Sequence, residues 1–335
     1  MLCSYLRSSS INQHKLCEMR YLFEYVLGMK SPTGKKACLG TIFHKVMEVR
    51  SLSRIAEQNK ETHFCDDQFG RLSIAEARDV DLILGKAFDH YKSIETHLTF
   101  EEVDLKTIRK WLTKTLAEYP KYDPVNLNIV EAELFFDFEI KKDWARYEAV
   151  VQGEKIEGNL RVKGTMDTVI DLGNNVYEML DYKSGQYRTD FKTKEVKDLE
   201  YLKGDVQLLL YLIALKETYP DKNFIMTLFY INCGGMFSVA ADDEMLERAW
   251  KMLEKEFKNI TKNYNPSQLD SSHRDFRCKY LCPFSKPAAG ASKSICNCMK
   301  ESIRANGFTK SVNGEIDLKT FGKYASGGGR SNVET

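Results

Sequence analysis

Two apolar segments joined by a short turn constrain the fold of this chain more than any other feature. Gly164–Asp167 lies in the first segment, Leu180–Gly185 lies in the second, and the turn Gly173–Asn175 stands between them. Both segments are rich in β-branched residues, and a Gly/Asn turn between two such runs is typical of a β-hairpin. The sequence therefore predicts two antiparallel strands joined by this turn.

The predicted hairpin brings acidic side chains together. Pairing of the strands places Asp167 opposite residues near Asp181. The two-residue period of a strand puts Asp181 and Lys183 on one face, with Tyr182 turned away. Facing carboxylates destabilise a sheet unless a positive charge lies between them. A divalent cation and the neighbouring lysine supply that charge, and this combination is the chemistry of phosphodiester hydrolysis.

A predicted helix after the hairpin carries two polar residues on one side. The segment from about Asp205 to Tyr219 is apolar almost all round, which predicts a helix buried against the sheet. Gln207 and Tyr211 are spaced i, i+4 and therefore project from the same side. Polar groups on a buried helix need partners, and a hydrogen bond between these two would satisfy both.

An acid after Gly-x-x, an Asp-x-Lys one hairpin later and a Gln-x-x-x-Tyr on a helix together resemble the PD-(D/E)XK nuclease superfamily. The nearest branch is the RecB-like exonucleases, which include the AddB nuclease domain and the four-cysteine nucleases of CRISPR adaptation. The resemblance implies an α/β fold, in which helices flank a mixed, restriction-endonuclease-like central sheet. It implies that Asp167, Asp181 and Lys183 are catalytic. It also implies that Gln207 and Tyr211 face the active site and the nucleic-acid strand.

The resemblance extends to a histidine upstream. His44 lies in Gly40–Glu48, which is similar to the Gly-x-x-x-His segment that carries a metal-binding histidine in RecB-like nucleases. The resemblance implies one Mg2+ or Mn2+ ion with these ligands: His44, Asp167, Asp181 and the backbone carbonyl of Tyr182. Lys183 would then position the attacking water and offset charge in the transition state.

Two further acids near these motifs each have two interpretations. Glu48 follows His44 by four residues and shares its helix face, where it either supports a metal ligand or lies at the surface. Glu133 precedes an apolar strand. It either lies near the site or is an ordinary carboxylate at an edge or on the surface, and the pattern favours the second interpretation.

The cysteines form the second strong pattern. Cys278-x-x-x-Cys282 and Cys296-x-Cys298 place four thiols within 21 residues, and Cys17 lies far upstream. Iron–sulfur members of the RecB-like branch take one ligand from an early helix and three from a C-terminal segment. The resemblance therefore implies a 4Fe-4S cluster held by Cys17, Cys278, Cys282 and either Cys296 or Cys298.

A structural zinc site is the alternative to the cluster. The four late cysteines alone would complete it, and Cys17 would then be free. The spacing departs from the tight Cys-x-x-Cys-x-x-x-x-x-Cys pattern of the family, since thirteen residues separate Cys282 from Cys296, but the cluster is favoured over zinc. The sequence context predicts ordinary thiols for the remaining cysteines, which are Cys3, Cys38, Cys65 and Cys233.

Composition restricts how the protein can bind nucleic acid. A formal net charge of +1 argues against a generally basic, DNA-coating protein, so a DNA-binding surface would be a local groove. Lysines and arginines in residues 30–36, 183–188 and 192–203 could line such a groove or form a solvated surface.

The longest apolar run, Leu208–Leu215, is shorter than the ~20 residues of a membrane span. Without a recognisable signal peptide, the sequence predicts a cytoplasmic protein with no membrane partner.

The order of elements predicts one nuclease domain over residues 1–325. Helices are predicted at 10–28 and 39–52, a helical insertion at 51–125, and strands from about 128 to 184. A strand at 224–231 and a helix at 242–263 follow. The cysteine-rich segment 270–300 would close onto Cys17, and the glycine-rich tail 326–335 is predicted to be disordered. No phosphate-binding loop motif of an ATP motor is present.

The expected function is a metal-dependent exonuclease on single-stranded DNA ends, in recombination, repair or phage DNA processing. The resemblance implies cleavage to a 5′ phosphate and a 3′ hydroxyl, and a helicase or recombination protein as partner. The alternatives are a structure-specific endonuclease and a non-cleaving DNA-binding subunit. The intact Asp-x-Lys pair argues against the non-cleaving subunit.

Overall fold

The computed structural model describes residues 3–151, 154–184, 189, 195–231, 235–262, 278, 280, 282–287 and 291–312. The chain divides into two compact units. The first unit comprises Met1–Pro32, Glu139–Val162 and Met252–Thr335, and the second comprises Thr33–Phe138 and Lys163–Lys251. The predicted tail, 326–335, lies outside the described residues.

The regular elements of the described residues alternate between helices and strands. The strands are β1 (Tyr5–Leu6), β2 (His63–Asp66), β3 (Gly70–Ser73), β4 (Ile129–Glu139), β5 (Arg146–Val151), β6 (Glu154–Asn159), β7 (Arg161–Asp171), β8 (Val176–Tyr182), β9 (Asn223–Tyr230) and β10 (Gly235–Ala240). The α-helices are α1 (Ser8–Leu16), α2 (Glu18–Tyr21), α3 (Lys35–Gln58), α4 (Ile74–Arg78), α5 (Val80–Ile94), α6 (Glu102–Glu118), α7 (Leu199–Lys203), α8 (Val206–Thr218), α9 (Asp243–Thr261), α10 (Ile295–Asn306) and α11 (Phe308–Val312).

A mixed sheet forms the centre of the second unit. Its strands run in the order β7-β8-β9-β10, and β4 pairs with the other side of β7. The pair β7–β8 is antiparallel, β8–β9 is parallel, and β9–β10 is antiparallel. The first two residues of β7 belong to the first unit, where they pair in parallel with β1. The predicted fold class, α/β with a mixed central sheet flanked by helices, is confirmed.

The predicted hairpin is β7 and β8. Thr168 pairs with Leu180, so the next step of the same register brings Asp167 opposite Asp181. The turn Gly173–Asn175 has φ angles of 78°, 50° and 64°. Glycine and asparagine adopt this left-handed conformation more readily than other residues, which explains why the strands reverse here.

Helix α3 forms the centre of the main apolar core of this unit. Ile42 and Phe43 are fully buried in one cluster with Ile170 and Leu180 of the sheet. Apolar residues of α5 and α6 belong to the same cluster. The core thereby holds the long helix beside the end of β8, where the predicted site residues lie.

Helix α8 matches the predicted segment 205–219 closely. Asp205 caps its N-terminus, since its Oδ1 accepts hydrogen bonds from the backbone N–H groups of Gln207 (2.9 Å) and Leu208 (3.2 Å). All residues from Leu208 to Leu215 are buried. No helix in the described parts of the chain is both long enough and apolar enough to cross a membrane.

Two local features differ from the sequence prediction. The hairpin β2–β3 interrupts the predicted helical insertion, where Gly70 has a φ of 70°. The predicted helix 10–28 is broken at Cys17, whose backbone is extended (φ −163°, ψ 107°). Cys17 is the N-cap of α2, and its Sγ accepts from the N–H of Arg20 at 3.5 Å. Apolar periodicity does not reveal such a break, because the apolar residues continue on both sides of it.

The first unit has its own apolar core. The early segment contributes Met19 and Phe23, and the late segment contributes Phe284 and Met299. The rings of Phe23 and Phe284 lie 4.9 Å apart between centroids. The residues around Cys17 therefore pack against the residues around Cys282.

Candidate active site

Three side chains from three elements of the second unit converge on one point. His44 of α3, Glu133 of β4 and Asp167 of β7 each offer a ligand atom, and these atoms all lie within 4.8 Å of one another. The Nδ1 atom of His44 lies 3.2 Å from Oδ2 of Asp167. An imidazole and two carboxylates form a donor set that suits Mg2+ or Mn2+. The residues present thus fit a divalent cation.

The backbone of Glu133 adopts an unusual conformation. Its φ is 50°, inside a strand and without a glycine's freedom. Non-glycine residues with positive φ are uncommon, and such strain persists where the surrounding structure holds it, often at functional sites. The sequence interpretation favoured an edge or surface carboxylate for Glu133. Glu133 reaches the ligand group from a locally distorted part of the strand. The pattern of apolar residues does not reveal such a distortion, so it could not predict this role for Glu133.

The hairpin positions the two aspartates. Asp167 Oδ2 accepts a hydrogen bond from the backbone N–H of Tyr182 at 2.7 Å. Asp181 is 2% exposed, and its Oδ2 is buried. Lys183 Nζ forms an ion pair with that oxygen at 2.5 Å. The shared face of Asp181 and Lys183 that the strand period predicts is thus present as a direct contact.

Helix α8 contributes a chain of hydrogen bonds to this pair. Gln207 Oε1 accepts from Lys183 Nζ at 2.5 Å, and Gln207 Nε2 donates to Asp181 Oδ1 at 2.8 Å. Gln207 Nε2 also lies 2.6 Å from the hydroxyl of Tyr211, which donates to the backbone carbonyl of Thr165. The predicted hydrogen bond between Gln207 and Tyr211 is present, and Gln207 also bonds the Asp-x-Lys pair, whereas a contact of these residues with nucleic acid remains a prediction.

The ring of Tyr182 faces away from Asp181. It packs against Phe43 at 5.8 Å, His44 at 6.1 Å and Phe229 at 5.8 Å between centroids. This packing fixes the imidazole of His44 beside Asp167. The group within 4.8 Å contains His44 and Asp167 of the predicted ligands, and the parts played by Asp181 and the Tyr182 carbonyl remain predictions.

Two glycines allow close approach around the site. A Cβ on Gly40 would lie 2.5 Å from Oγ of Ser184, the residue after Lys183. A Cβ on Gly164 would lie 2.5 Å from Cζ of Phe136. Each glycine begins one of the recognised motifs, Gly-x-x-x-His and Gly-x-x-Asp, and each is needed because a neighbouring element occupies the space of a side chain.

Two members of the ligand group, His44 and Glu133, have pKa values above their usual range. Burial lowers the pKa of His44, but the charge of Asp167, its hydrogen bond and the other nearby carboxylates outweigh burial and raise that pKa to about 9. Burial, followed by the charge of Asp167, raises the pKa of Glu133 to about 8. Burial alone would raise the pKa of Asp167, yet the His44 charge and hydrogen bonds hold it below its usual value.

The Asp-x-Lys pair is also perturbed. Burial raises the pKa of Asp181 to about 6, against the opposing charge of Lys183. Burial would lower the pKa of Lys183, but the charge and hydrogen bond of Asp181 outweigh burial and raise it. Lys183 therefore carries a positive charge at neutral pH, and this charge lies next to the carboxylate of Asp181.

Glu48 does not belong to the ligand group. Its Oε1 accepts from the buried Lys45 at 2.9 Å, and Lys45 also donates to Asp66 at 2.7 Å. The charge of Glu48 nonetheless contributes to the raised pKa of Glu133. Of the two interpretations, Glu48 follows the first in part, since it is partly buried and acts on the site through its charge.

Four cysteines share one neighbourhood in the first unit. Burial, together with the charges of Cys17, Cys282 and Cys278 and against the charge of Lys300, raises the pKa of Cys296 to about 12. The charge of Cys298 contributes to the raised pKa of Lys293. The cysteines in the described residues form no disulfide, and Cys233 lies outside those residues. In the same part of the chain, no three cysteine sulfur atoms lie within 4.8 Å of one another.

Comparison with known proteins identifies the family. The PD-(D/E)XK nuclease superfamily matches over residues 8–286 of the 335-residue chain. No curated protein matches the sequence significantly. Among solved structures, a "Putative exonuclease" from Eubacterium rectale is 14% identical, with a TM-score of 0.44, and the match covers 77% of this chain and 80% of that chain. A protein named SSO0001 is 16% identical, with a TM-score of 0.25, and the match covers 59% of this chain and 80% of that chain.

The superfamily match spans most of the chain and includes every residue of the ligand group and of the Asp-x-Lys pair. Members of this superfamily are nucleases that use divalent metal ions. The resemblance found in the motifs is therefore confirmed at the level of the superfamily, and this chain belongs to the PD-(D/E)XK nuclease superfamily.

Proposed function

We propose that this nuclease is a metal-dependent exonuclease that degrades single-stranded DNA from its ends. One observation carries the proposal: the ligand group His44–Glu133–Asp167 lies beside a buried, bonded Asp181–Lys183 pair. A cation-binding group next to a charged lysine is the arrangement that phosphodiester hydrolysis requires. Recombination, repair or phage DNA processing would use this activity, with a helicase or recombination protein supplying single strands in the cytoplasm.

The proposed cation is Mg2+ or Mn2+. His44, Glu133 and Asp167 would hold it, with Asp181 and the carbonyl of Tyr182 as the further predicted ligands. When bound, such an ion offsets the negative charge of a phosphodiester and makes water a stronger nucleophile. Imidazole favours Mn2+ over the harder Mg2+, so we expect Mn2+ to support the faster reaction.

The other side chains orient the reacting groups. Lys183 is positively charged, and its Nζ can stabilise negative charge that develops on phosphate oxygens. Gln207 holds both Lys183 and Asp181 in place by hydrogen bonds at 2.5 Å and 2.8 Å. Tyr211 in turn fixes Gln207 and anchors it to the backbone at Thr165. We therefore assign Gln207 and Tyr211 as positioning residues.

The test uses purified protein and end-labelled DNA. Linear and circular single strands of equal sequence are incubated with Mn2+ and with EDTA, and the products are separated on a sequencing gel. We expect Mn2+-dependent release of nucleotides or short oligonucleotides from the linear strand and an intact circle. Cleavage of the circle would replace the exonuclease with an endonuclease. An intact linear strand in Mn2+ would contradict the proposal.

We also propose a 4Fe-4S cluster in the first unit, held by Cys17, Cys278, Cys282 and Cys296. The effects of the Cys17, Cys278 and Cys282 charges on the pKa of Cys296 support this set. Tetrahedral zinc at ~2.3 Å from each sulfur would need sulfur atoms ~3.8 Å apart. No three cysteine sulfur atoms of the described residues lie within 4.8 Å of one another, and the family resemblance favours the cluster.

We also propose a single nuclease domain over residues 1–325, and the proposed cluster would lie within its first unit. The cluster would join the early helices to the cysteine-rich segment 270–300, part of which lies outside the described residues. The helical insertion 51–125 would be an elaboration of the same domain, since α3 runs from the site directly into it.

A further inference from the structure

A large aromatic side chain is exposed next to the ligand group. Phe135 of β4 is 59% exposed, whereas the next residue, Phe136, is only 7% exposed. Exposing most of a phenylalanine ring forgoes the stabilisation that burial would give. The residue belongs to the strand that supplies Glu133, so its position relates directly to the site.

The packing of Phe136 shows which way Phe135 faces. The Phe136 ring lies 5.9 Å from the Tyr211 ring, and its tip occupies the space beside Gly164. Phe136 therefore faces helix α8. Successive side chains of a strand point to opposite faces, so Phe135 points away from α8, towards the face of the sheet on which α3 carries His44. Helix α3 leaves the ring of Phe135 uncovered there.

Phe135 lies within the reach of one nucleotide from the ligand group. Two residues of an extended chain span at most about 7 Å, so the backbones of Glu133 and Phe135 lie no farther apart than this. Glu133 places its carboxylate among the ligand atoms. A nucleotide whose phosphate contacts the ligand group can consequently bring its base to the ring.

The charge of the site makes an uncharged contact useful. The carboxylates of Asp167 and Asp181 repel a phosphodiester backbone, and Lys183 is engaged by Asp181 and Gln207. Stacking of a base on an aromatic ring attracts the substrate without depending on charge.

We propose that Phe135 stacks on an unpaired base next to the scissile phosphate and thereby selects single-stranded DNA. This role of Phe135 rests on the nuclease activity proposed above, and it would explain why the enzyme prefers single-stranded substrates. In a duplex, both faces of an internal base are covered by neighbouring base pairs. Only a splayed base of a single strand can offer a free face to Phe135.

The first test compares variants on a single-stranded oligonucleotide in Mn2+. Phe135→Ala should raise KM between about fivefold and about a hundredfold, the range typical of one lost stacking contact, and Phe135→Trp should restore the wild-type KM. Because the side chain is exposed, the thermal midpoint should stay unchanged. Val103→Ala removes another exposed apolar side chain (58% exposed), on α6, and should leave KM unchanged.

The second test locates the stacked base. Substrates carrying a single abasic nucleotide are scanned along the strand with wild-type protein and with Phe135→Ala. One abasic position should raise the wild-type KM as much as Phe135→Ala does, and the two changes together should raise it no further. Independent, multiplicative effects at every position, or a wild-type KM for Phe135→Ala, would overturn the role of Phe135.

The two proposals fail in different ways. If the wild-type protein cleaves no DNA in Mn2+, the nuclease proposal fails first. If the wild-type protein cleaves single strands and Phe135→Ala cleaves them with equal KM, only the stacking proposal is overturned.

Discussion

His44 and Asp167 form an ion pair in the metal-free protein, and this pairing sets how a cation must bind. With a pKa of about 9, His44 is protonated at neutral pH, and Glu133, with a pKa of about 8, is largely protonated as well. A metal ligand must be neutral imidazole or ionised carboxylate. A cation therefore has to displace protons from both residues before it can use all three ligands.

Metal binding should accordingly release protons. At pH 7 we expect about two protons per Mn2+ ion, and an affinity that increases as pH rises from about 6 to about 9. Calorimetry in buffers of different ionisation enthalpy measures the number released. His44→Ala should release about one proton fewer and bind Mn2+ more weakly. Binding without proton release would remove His44 and Glu133 from the proposed ligand set.

The Asp-x-Lys pair should be indispensable for cleavage. Asp181→Ala and Lys183→Ala should each lower kcat by at least about a hundredfold, because one removes a carboxylate from the site and the other removes the charge that faces the phosphate. Rates come from single-turnover gels with Mn2+, and thermal midpoints check folding. Lys106→Ala, a change at an exposed lysine of α6, is the control. Wild-type cleavage by either site variant would remove that residue from the mechanism.

At the scale of single elements, close approach matters as much as periodicity. Helix α3 carries the histidine motif, but its position depends on Gly40 lying against Ser184 at the end of β8. Helix α5 also contains a glycine, Gly85, with open space where a Cβ would lie. Both glycines lie within helices, and the sequence does not distinguish them. The packing shows that Gly40 has no room for a side chain, whereas Gly85 has room for one.

These two glycines should respond oppositely to alanine. Gly85→Ala should stabilise the protein by roughly 0.5–1 kcal/mol, since alanine favours the helix and meets nothing. Gly40→Ala should destabilise it by roughly 1–3 kcal/mol, because its Cβ would overlap Ser184 Oγ. Denaturant unfolding measures both changes.

A double-mutant cycle tests the stated cause. Ser184→Ala removes the clashing oxygen and leaves the Ser184 Cβ at 3.7 Å, an ordinary contact. Adding this change should recover most of the stability lost in Gly40→Ala. If the two losses simply add, then the tight contact is not the reason for glycine at position 40.

Some elements were predictable from local patterns and others were not. The hairpin β7–β8 and helix α8 carry strong local signals: a Gly/Asn turn, β-branched runs and an aspartate cap. The hairpin β2–β3 and the break at Cys17 were missed. The sequence around them is charged or continuously apolar, and contacts with distant residues decide the backbone there.

At the scale of the whole molecule, the cysteines connect distant parts of the chain. Cys17 precedes α2, and Cys296 belongs to α10, yet the two thiols influence each other electrostatically. Joining residues so far apart in sequence strongly restricts the unfolded chain. A metal centre at this place would therefore contribute mainly to stability.

The purified protein should be brown and contain about four iron atoms. Cys17→Ala and Cys296→Ala should lose the iron and the absorbance near ~400 nm and should lower the thermal midpoint, because the metal is linked to folding. Cys298→Ala should keep the iron, and so should Asp181→Ala. A colourless protein with one zinc ion that Cys17→Ala leaves in place would instead support a zinc site of the late cysteines.

The sequence by itself determined the superfamily, the fold class, the hairpin, the buried helix and most of the candidate site. These features depend on local spacing, such as Asp-x-Lys on one strand face and Gln-x-x-x-Tyr on one helix side. The regular periods of strands and helices fix which residues share a face, so such spacing predicts the arrangement. Only the tertiary structure brought Glu133 to His44 and Asp167 and left Phe135 exposed on the strand that carries Glu133. Each of these depends on contacts between residues far apart in sequence or on a strained backbone angle, which no short window of residues records.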